Sequence, residues 1–398
     1  MSSTVEVLPL EALTSLESFQ NALRIAEQNA DDVDTRARFP LESIAALRSA
    51  GAMSWQVSHQ YGGAGAKIDV LSDAAFELAR RCASTGMIFA MHQIQVACIL
   101  RHATHVPWFA NYLQALADEQ RLIASATSEA GVGGNLRKSI AAVEPASDAD
   151  GNLIRFEKEA STISYGAEAD DLLTTLRRSP TADHGDQVLV LTRSSDMEAR
   201  KISEWNTLGM RGTCSPGFKV SATCSRDQIL PVPFATIAIE TMVPFSHILW
   251  ANVWLGIAAA AFERSQSFVK LQARQNPGTT PPSALKLSGM SVRMAEIRSL
   301  IRSATKEYMD LADGEGRFTL STAGYALRIN QLKIAASEAV VEICQEALRV
   351  CGFLGYKNGG PYSIGRHLRD AHSAALMIAN DRLRATNATL LLVHRDTK

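Results

Sequence analysis

The 398-residue sequence has no block of charge of one sign, no cysteine pairing and no histidine cluster, and each absence excludes a class of function. Its 40 basic and 41 acidic residues are interspersed and leave a net charge of −1, so there is no electrostatic footprint for nucleic acid or an anionic membrane. Six cysteines (Cys82, Cys98, Cys214, Cys224, Cys344, Cys351) show neither CxxC nor metal-ligand spacing. Set in apolar surroundings, they read as small core residues in a reducing compartment, which points to the cytoplasm. The nine histidines never form HxxxH or HExxH, which argues against a bound metal. The most apolar stretch, Ile248 to Phe262, is short and contains Asn252, so it reads as a buried helix and not a membrane span. The opening Met-Ser-Ser-Thr-Val-Glu-Val lacks the basic-then-apolar order of a secretory signal. What remains is ordinary globular composition, 46% hydrophobic and 20% charged, sufficient for two or three packed units.

The order of elements reads helix, strand, helix. Helical periodicity covers Leu13 to Asn29, Pro40 to Ala50, Ile68 to Cys82, Met87 to Thr104 and Val106 to Glu119. Pro40 suits a first helical turn and Gly51 a stop, while Tyr61-Gly62-Gly63-Ala64-Gly65 is too glycine-rich for a helix. From about Leu122 to Ile237 short apolar runs such as Ala169 to Leu176 and Val188 to Thr192 alternate with Asp-Gly, His-Gly-Asp and Ser-Pro-Gly punctuation. Antiparallel strands with turns follow from that texture. From about Ser246 the helices return. Leu327, Ile334, Val341 and Leu348 recur every seven residues with Cys344 between them, a stripe on one long helix, and NPGTTPP (276–282) separates two others. The expected class is α+β: an N-terminal helical domain (1–121), a central antiparallel β-domain (122–240) and a C-terminal four-helix bundle (241–398) that oligomerises.

Five segments, in order, add chemistry to this outline. They are FPLESIAALRSAGAMSW (39–55) followed by QYGGAG (60–65); TSEAGVGGN (127–135); KEASTISYGAEAD (158–170); LGMRGT (208–213) followed by ILPVP (229–233); and the C-terminal set RQNPG (274–278), RVCGFLGY (349–356) and RHLRDA (366–371). Together they resemble the acyl-CoA dehydrogenase superfamily across nearly the whole chain. The resemblance implies that family's fold and FAD. Thr127 and Ser128 would meet the flavin's pyrimidine edge, where donors stabilise the charge of the reduced ring. Ser164 would donate near flavin N5, with Thr162 in place of the usual tryptophan. Arg274 would reach the FAD pyrophosphate of a neighbouring subunit, where a guanidinium fork suits two phosphates. Arg349, Gly352, Gly355 and Asn380 complete the implied cofactor contacts, Gly134 faces substrate, and the Arg369–Asp370 pair reads as structural.

The chain departs from the family at the base. Its dehydrogenases use a glutamate to remove the substrate α-proton while hydride leaves for flavin. Seven residues after Ala371 stands Ile378, and Gln275 stands beside Arg274, where the family resemblance offers a second place for a base. Neither takes a proton. Asp381 lies about one helical turn from Ile378 and is the candidate replacement, and His247 stands where the family places an arginine near the thioester. Relatives without the glutamate include flavin-dependent oxygenases, which need a dry pocket and a hydrogen-bond donor beside the flavin's reactive edge. Ser164 and His92 are the candidate donors. The expectation is therefore a flavin/O2-dependent oxygenase acting on a small acyl-thioester or related organic molecule. A flavin reductase would supply its electrons, and the protein would form a homotetramer or dimer. The alternatives are an acyl-CoA α,β-dehydrogenase with a relocated base, coupled to an electron-transfer flavoprotein, and a non-catalytic paralogue.

Overall fold

Proline and glycine place the first helices. In the computed structural model, which describes residues 11–147 and 151–393, α1 (Glu11–Ser15) and α2 (Glu17–Arg36) precede Pro40, which caps α3 (Leu41–Ser49). Gly51 then takes a left-handed φ of 69° and stops α3. α4 (Ile68–Arg81) and α5 (Ala83–His102) are separated only by Cys82 in extended conformation, and Pro107 opens α6 (Pro107–Glu119) at a position that needs no N–H donor. The N-terminal residues read for a signal, and Asp150 of the Asp-Gly turn, lie outside the described residues.

The seven strands are β1 (Ile123–Ala126), β2 (Glu144–Pro145), β3 (Leu153–Ala160), β4 (Asp171–Arg177), β5 (Gln187–Arg193), β6 (Met197–Lys201) and β7 (Phe218–Ser225). They form two sheets, ordered β1-β4-β5 and β2-β3-β7-β6. One pair departs from the antiparallel expectation: β1 runs parallel to β4, with Ile123 opposite Asp171. The intervening β2 and β3 belong to the other sheet, so the chain crosses over before β4 joins β1, a connection that local turn signals do not encode. β4 is buried on both faces, whereas β3 buries alternate residues.

α7 (Phe234–Ile237) passes through a π-helical stretch, Ala238–Met242, into α8 (Val243–Gln275). Then come α9 (Ser283–Ala312), α10 (Ala323–Tyr356), α11 (Gly365–His372) and α12 (Asn380–Val393). Among the described residues α5 and the continuous helix Phe234–Gln275 are long and apolar enough to cross a membrane, but 89% and 94% of their apolar 18-residue stretches are buried inside the fold, as in core helices. The heptad stripe on α10 lies beside the buried seam, not on it: Leu327 and Cys344 are buried, but Ile334, Val341 and Leu348 are half-buried. Leu332, Ala336, Ala339, Val340, Ile343 and Ala347 form the seam.

Two adjacent aspartates fasten the helices to the sheet. Asp171 is fully buried and receives Arg121 Nε and Nη2 (both 2.7 Å) and the Tyr112 hydroxyl (2.6 Å). Asp170 receives the Leu122 N–H at 2.6 Å and Arg48 Nη2 at 2.8 Å. His92 joins the same seam and is corrected here as a catalytic candidate. Its Nε2–H donates to Met53 O (2.8 Å), its Nδ1 accepts from the Ile123 N–H (3.0 Å), and the ring is buried. Neither nitrogen is left for a ligand.

Asp171→Asn should leave the Arg121 guanidinium with the exposed Glu119 carboxylate in place of its buried partner and cost about 3 kcal/mol, measurable as a lowered urea midpoint. Burial also pushes His92 and His102 down to about 4, and His247 to about 3. Between those values and the unfolded value of about 6.5 the unfolded chain binds more protons, so stability present above pH 6.5 is lost as pH falls toward 4. Unfolding titrations across that window should show the decline, and His92→Gln should reduce its slope by about 1.4 kcal/mol per pH unit for the one proton removed.

Candidate functional site

After β3 the chain turns through Thr162 and Ser164 before entering β4. Ser128 holds that turn: its Oγ donates to Thr162 O (2.6 Å) and accepts from the Thr162 N–H (3.0 Å). The Ser128 hydroxyl is thus engaged within the fold, unlike the flavin contact expected for it. Thr127, just before it, is half-buried, with its Oγ1 accepting a long bond from Ser125 Oγ at 3.4 Å. Ser164 is half-buried too, its Oγ accepting from Ser215 Oγ at 2.9 Å.

The loop that follows Thr127 is built around a buried ion pair. Glu129 accepts from Ser139 Oγ (2.7 Å) and from the Ile140 and Ala141 N–H groups (3.1 and 2.6 Å), with Lys158 Nζ at 3.5 Å. Lys158 also donates to Thr175 O and Oγ1. Burial alone would raise Glu129, but Lys158 and these donors hold it below its ordinary range, while burial pushes Lys158 down to about 8. The loop's three left-handed glycines, Gly131, Gly133 and Gly134, follow, and the Arg382 guanidinium of α12 donates to the carbonyls of Gly133 and Gly134.

α11 meets the β-region through Asp370. Its carboxylate is buried and accepts the Met210 N–H at 2.7 Å, and burial, opposed by Arg366, raises it to about 6. Arg369 does not pair with Asp370, as the sequence had suggested, but with Asp34 of α2. The two residues are structural, by separate contacts.

The segment carrying Ile378 hangs on a lysine that the sequence reading overlooked. Lys333 is buried on α10 and donates to Ala374 O (3.1 Å), Ile378 O (3.0 Å) and Asn380 Oδ1 (2.7 Å). Its ammonium also sits 5.6 Å from the centre of the Trp254 ring of α8, and burial pushes it down to about 8. The available signal was a cation on the buried face of a helix, four residues after Ile329 and three before Ala336. Asn380 is engaged on all sides, by Lys333, Ser337 and Glu338, so its amide has no atom for the cofactor contact expected of it. Ile378 has a left-handed φ of 47°.

Three further expectations change here. Gln275 ends α8 and is exposed; at 1.5 Å per residue it lies roughly 30 Å along the helix from Trp254, the α8 residue beside the Lys333 ammonium that holds the Ile378 segment. Asp381 is fully exposed and 3.9 Å from Arg384, so it does not turn toward Ile378 as a base. His247 is buried between α8 and α10, its Nδ1–H donating to Ile329 O at 3.1 Å and its Nε2 without a partner.

The other expected cofactor residues cluster at the far ends of α8 and α10. Arg274 is exposed in the last turn of α8, and Arg349 is exposed and paired with Glu346. Gly352 breaks α10 at φ 55°, ψ −134°, a conformation closed to side-chain residues, and the space where its Cβ would stand is open. Gly355 differs: a Cβ there would collide with Cys351, so it serves helix packing. The donor set fits a flavin in part. Ser164 offers a hydroxyl, Gly352 an open approach, and Arg274 a free guanidinium, but no hydrogen bond among the described residues joins Ser164 to the Arg274–Gly352 end.

Lys333→Met should leave the Ala374 and Ile378 carbonyls without their side-chain donor and Asn380 Oδ1 with Ser337 Oγ alone, and cost about 2–4 kcal/mol in urea unfolding. Limited proteolysis should then cut first between residues 374 and 380.

Comparison with known proteins places this geometry. Residues 19–120 match the family described as acyl-CoA dehydrogenase, N-terminal domain, and residues 236–377 match acyl-CoA dehydrogenase, C-terminal domain. The short-chain specific acyl-CoA dehydrogenase of Bos taurus mitochondria is 26% identical over 351 residues, covering 86% of this chain and 80% of the relative. The probable FMNH2-dependent monooxygenase SfnC of Pseudomonas putida is also 26% identical, covering 82% of each. Among solved structures, FMN-bound TdsC from Paenibacillus sp. A11-2 superposes with a TM-score of 0.81 at 20% identity, over 96% of this chain and 98% of that one. The chain belongs to the acyl-CoA dehydrogenase superfamily, whose members are flavin-dependent oxidoreductases.

Proposed function

We propose that this protein is an FAD-dependent oxygenase that acts on a small acyl-thioester or related organic substrate. Residue 378 carries the proposal. The family's base position holds an isoleucine whose backbone is fixed by Lys333, and Asp381 faces solvent. The Glu338 carboxylate, which reaches this segment at Asn380, is bound to Asn380 and Arg384. Neither of these carboxylates is free and turned toward residue 378, as a reaction that begins with α-proton removal would require. The likeness to a protein named as an FMNH2-dependent monooxygenase supports the same reading.

A bound flavin would supply two electrons to O2. The overall balance is substrate, O2, two electrons and two protons giving oxygenated substrate and water, with a separate flavin reductase as the source of electrons. Ser164 would hold the flavin's reactive edge by hydrogen bonding, and Ile378 and Trp254 would keep the adjoining space dry. Thr127 and the backbone around Ser128 would line the pyrimidine edge, and Gly134, on the loop held by Arg382, the substrate side. Arg274 and Gly352 would contact the dinucleotide end of FAD from a second copy of the chain, which accounts for their separation from Ser164 within one chain. Homodimer or homotetramer formation follows from that arrangement.

The alternative is an acyl-CoA dehydrogenase, supported by the Bos taurus relative. One experiment separates the two. FAD-loaded protein is reduced anaerobically, mixed with O2 and followed by stopped flow, then separately mixed in the oxidised state with butyryl-CoA. Oxygenation predicts a transient absorbing species distinct from oxidised and reduced flavin, and no bleaching by the thioester. Bleaching by butyryl-CoA without added reductant overturns the proposal in favour of dehydrogenation.

A further inference from the structure

Ser164 is the end of a chain of hydroxyls. Thr213 Oγ1 lies 2.9 Å from Ser215 Oγ, and Ser215 Oγ donates to Ser164 Oγ at 2.9 Å. Thr213 and Ser215 are buried. Each hydroxyl has one proton, and Ser215 Oγ offers its own to Ser164 Oγ at 2.9 Å and, at a longer 3.3 Å, to Thr213 O. With the Ser215 proton on Ser164, only Thr213 can donate between Thr213 and Ser215; it shares that proton with Met210 O, also 2.9 Å away. In that arrangement the chain runs Thr213 to Ser215 to Ser164, and among the described residues no acceptor takes Ser164's own proton. A hydroxyl that accepts a hydrogen bond becomes a stronger donor in a low-dielectric setting.

The backbone around these hydroxyls is held in unusual conformations. Tyr165, Met210 and Cys214 all have left-handed φ, at 45°, 51° and 41°. The Tyr165 N–H reaches Thr213 O (2.8 Å) and Cys214 O (3.1 Å), so the turn after Ser164 is tied to the turn that carries Thr213 and Ser215. Asp370 holds the same turn from the α11 side through the Met210 N–H, and a side chain at Gly209 would run into the Arg369 carbonyl oxygen. Non-glycine residues keep such conformations only where the surroundings over-determine them.

We propose that Ser215 and Thr213 are positioning residues of the flavin site: their one-way hydrogen bonds turn the Ser164 proton outward and fix Ser164 as a donor to the cofactor. The inference rests on the reading that a flavin lies against Ser164. It assigns a role to Thr213, the last residue of the LGMRGT segment, and to Ser215 two residues beyond it.

The test is a double-mutant cycle on full-length protein reconstituted with FAD, read by the FAD dissociation constant and by the rate of reoxidation of the reduced flavin by O2. Ser164→Ala should weaken FAD binding about tenfold, the scale of a hydrogen bond to a charged group. Ser215→Ala should produce a loss of the same kind, and Ser164→Ala/Ser215→Ala should be no worse than Ser164→Ala alone. Ser215→Thr, which keeps the hydroxyl, should match wild type, and Thr213→Val, nearly isosteric, should show an intermediate loss. Additive effects in the double variant, or a Ser215→Ala protein equal to wild type while Ser164→Ala is impaired, would overturn the role of Ser215. Wild-type protein that takes up no FAD, or a Ser164→Ala protein unchanged in both readouts, would instead remove the flavin placement itself and the inference with it. Should Ser215→Ala fail to fold, the Thr213→Val and Ser215→Thr pair decides the matter by the same readouts.

Discussion

The carboxylate of Asp370 is the contact on which the site's geometry depends. It is buried, no lysine or arginine among the described residues is bonded to it, and its defined partner is a single backbone N–H, that of Met210. Met210 is left-handed, and its carbonyl accepts from both Thr213 Oγ1 and Trp205 Nε1. One carboxylate thereby fixes the turn that supplies the hydroxyls beside Ser164. The flanking arginines act elsewhere: Arg366 reaches Asp31 and Arg369 reaches Asp34, so α11 is clamped to α2 on one side and to the β-region on the other.

Backbone strain is distributed with the same logic. Among the described residues, six other than glycine have positive φ. Two of them, Ala37 and Gln120, terminate helices, where a left-handed residue satisfies the last carbonyls. The remaining four, Tyr165, Met210, Cys214 and Ile378, border the candidate site. Each such residue costs on the order of 1–3 kcal/mol, which only surrounding contacts can offset. Those contacts are visible: Thr213 and Cys214 carbonyls for Tyr165, Asp370 for Met210, and Lys333 for Ile378.

Much of the fold was legible because its signals are local. Pro40, Gly51, Pro107 and the NPGTTPP loop mark helix ends by conformational rules that hold in any context. The parallel β1–β4 pair was not legible, because its register is set by a crossover between two sheets. The site divides in the same way. Ser164 and Gly352 stand out by motif and keep an open face in the structure. His92 was misread because a lone histidine on an apolar helix gives no hint that both its nitrogens already have partners, Met53 O and Ile123 N–H, from distant segments. Lys333, Thr213 and Ser215 act through neighbours that only folding brings near. Gln275 was misplaced by proximity in sequence to Arg274, when distance along a helix separates it from the Ile378 segment.

The Lys333 node has a consequence for how such a site changes over evolutionary time. It grips the carbonyls of Ala374 and Ile378 and the amide of Asn380, and takes no hold of the side chain at 378. The position of that residue is therefore specified independently of its identity. Carboxyl, alkyl or amide groups could be exchanged at 378 without removing any of the three Lys333 bonds that hold the loop.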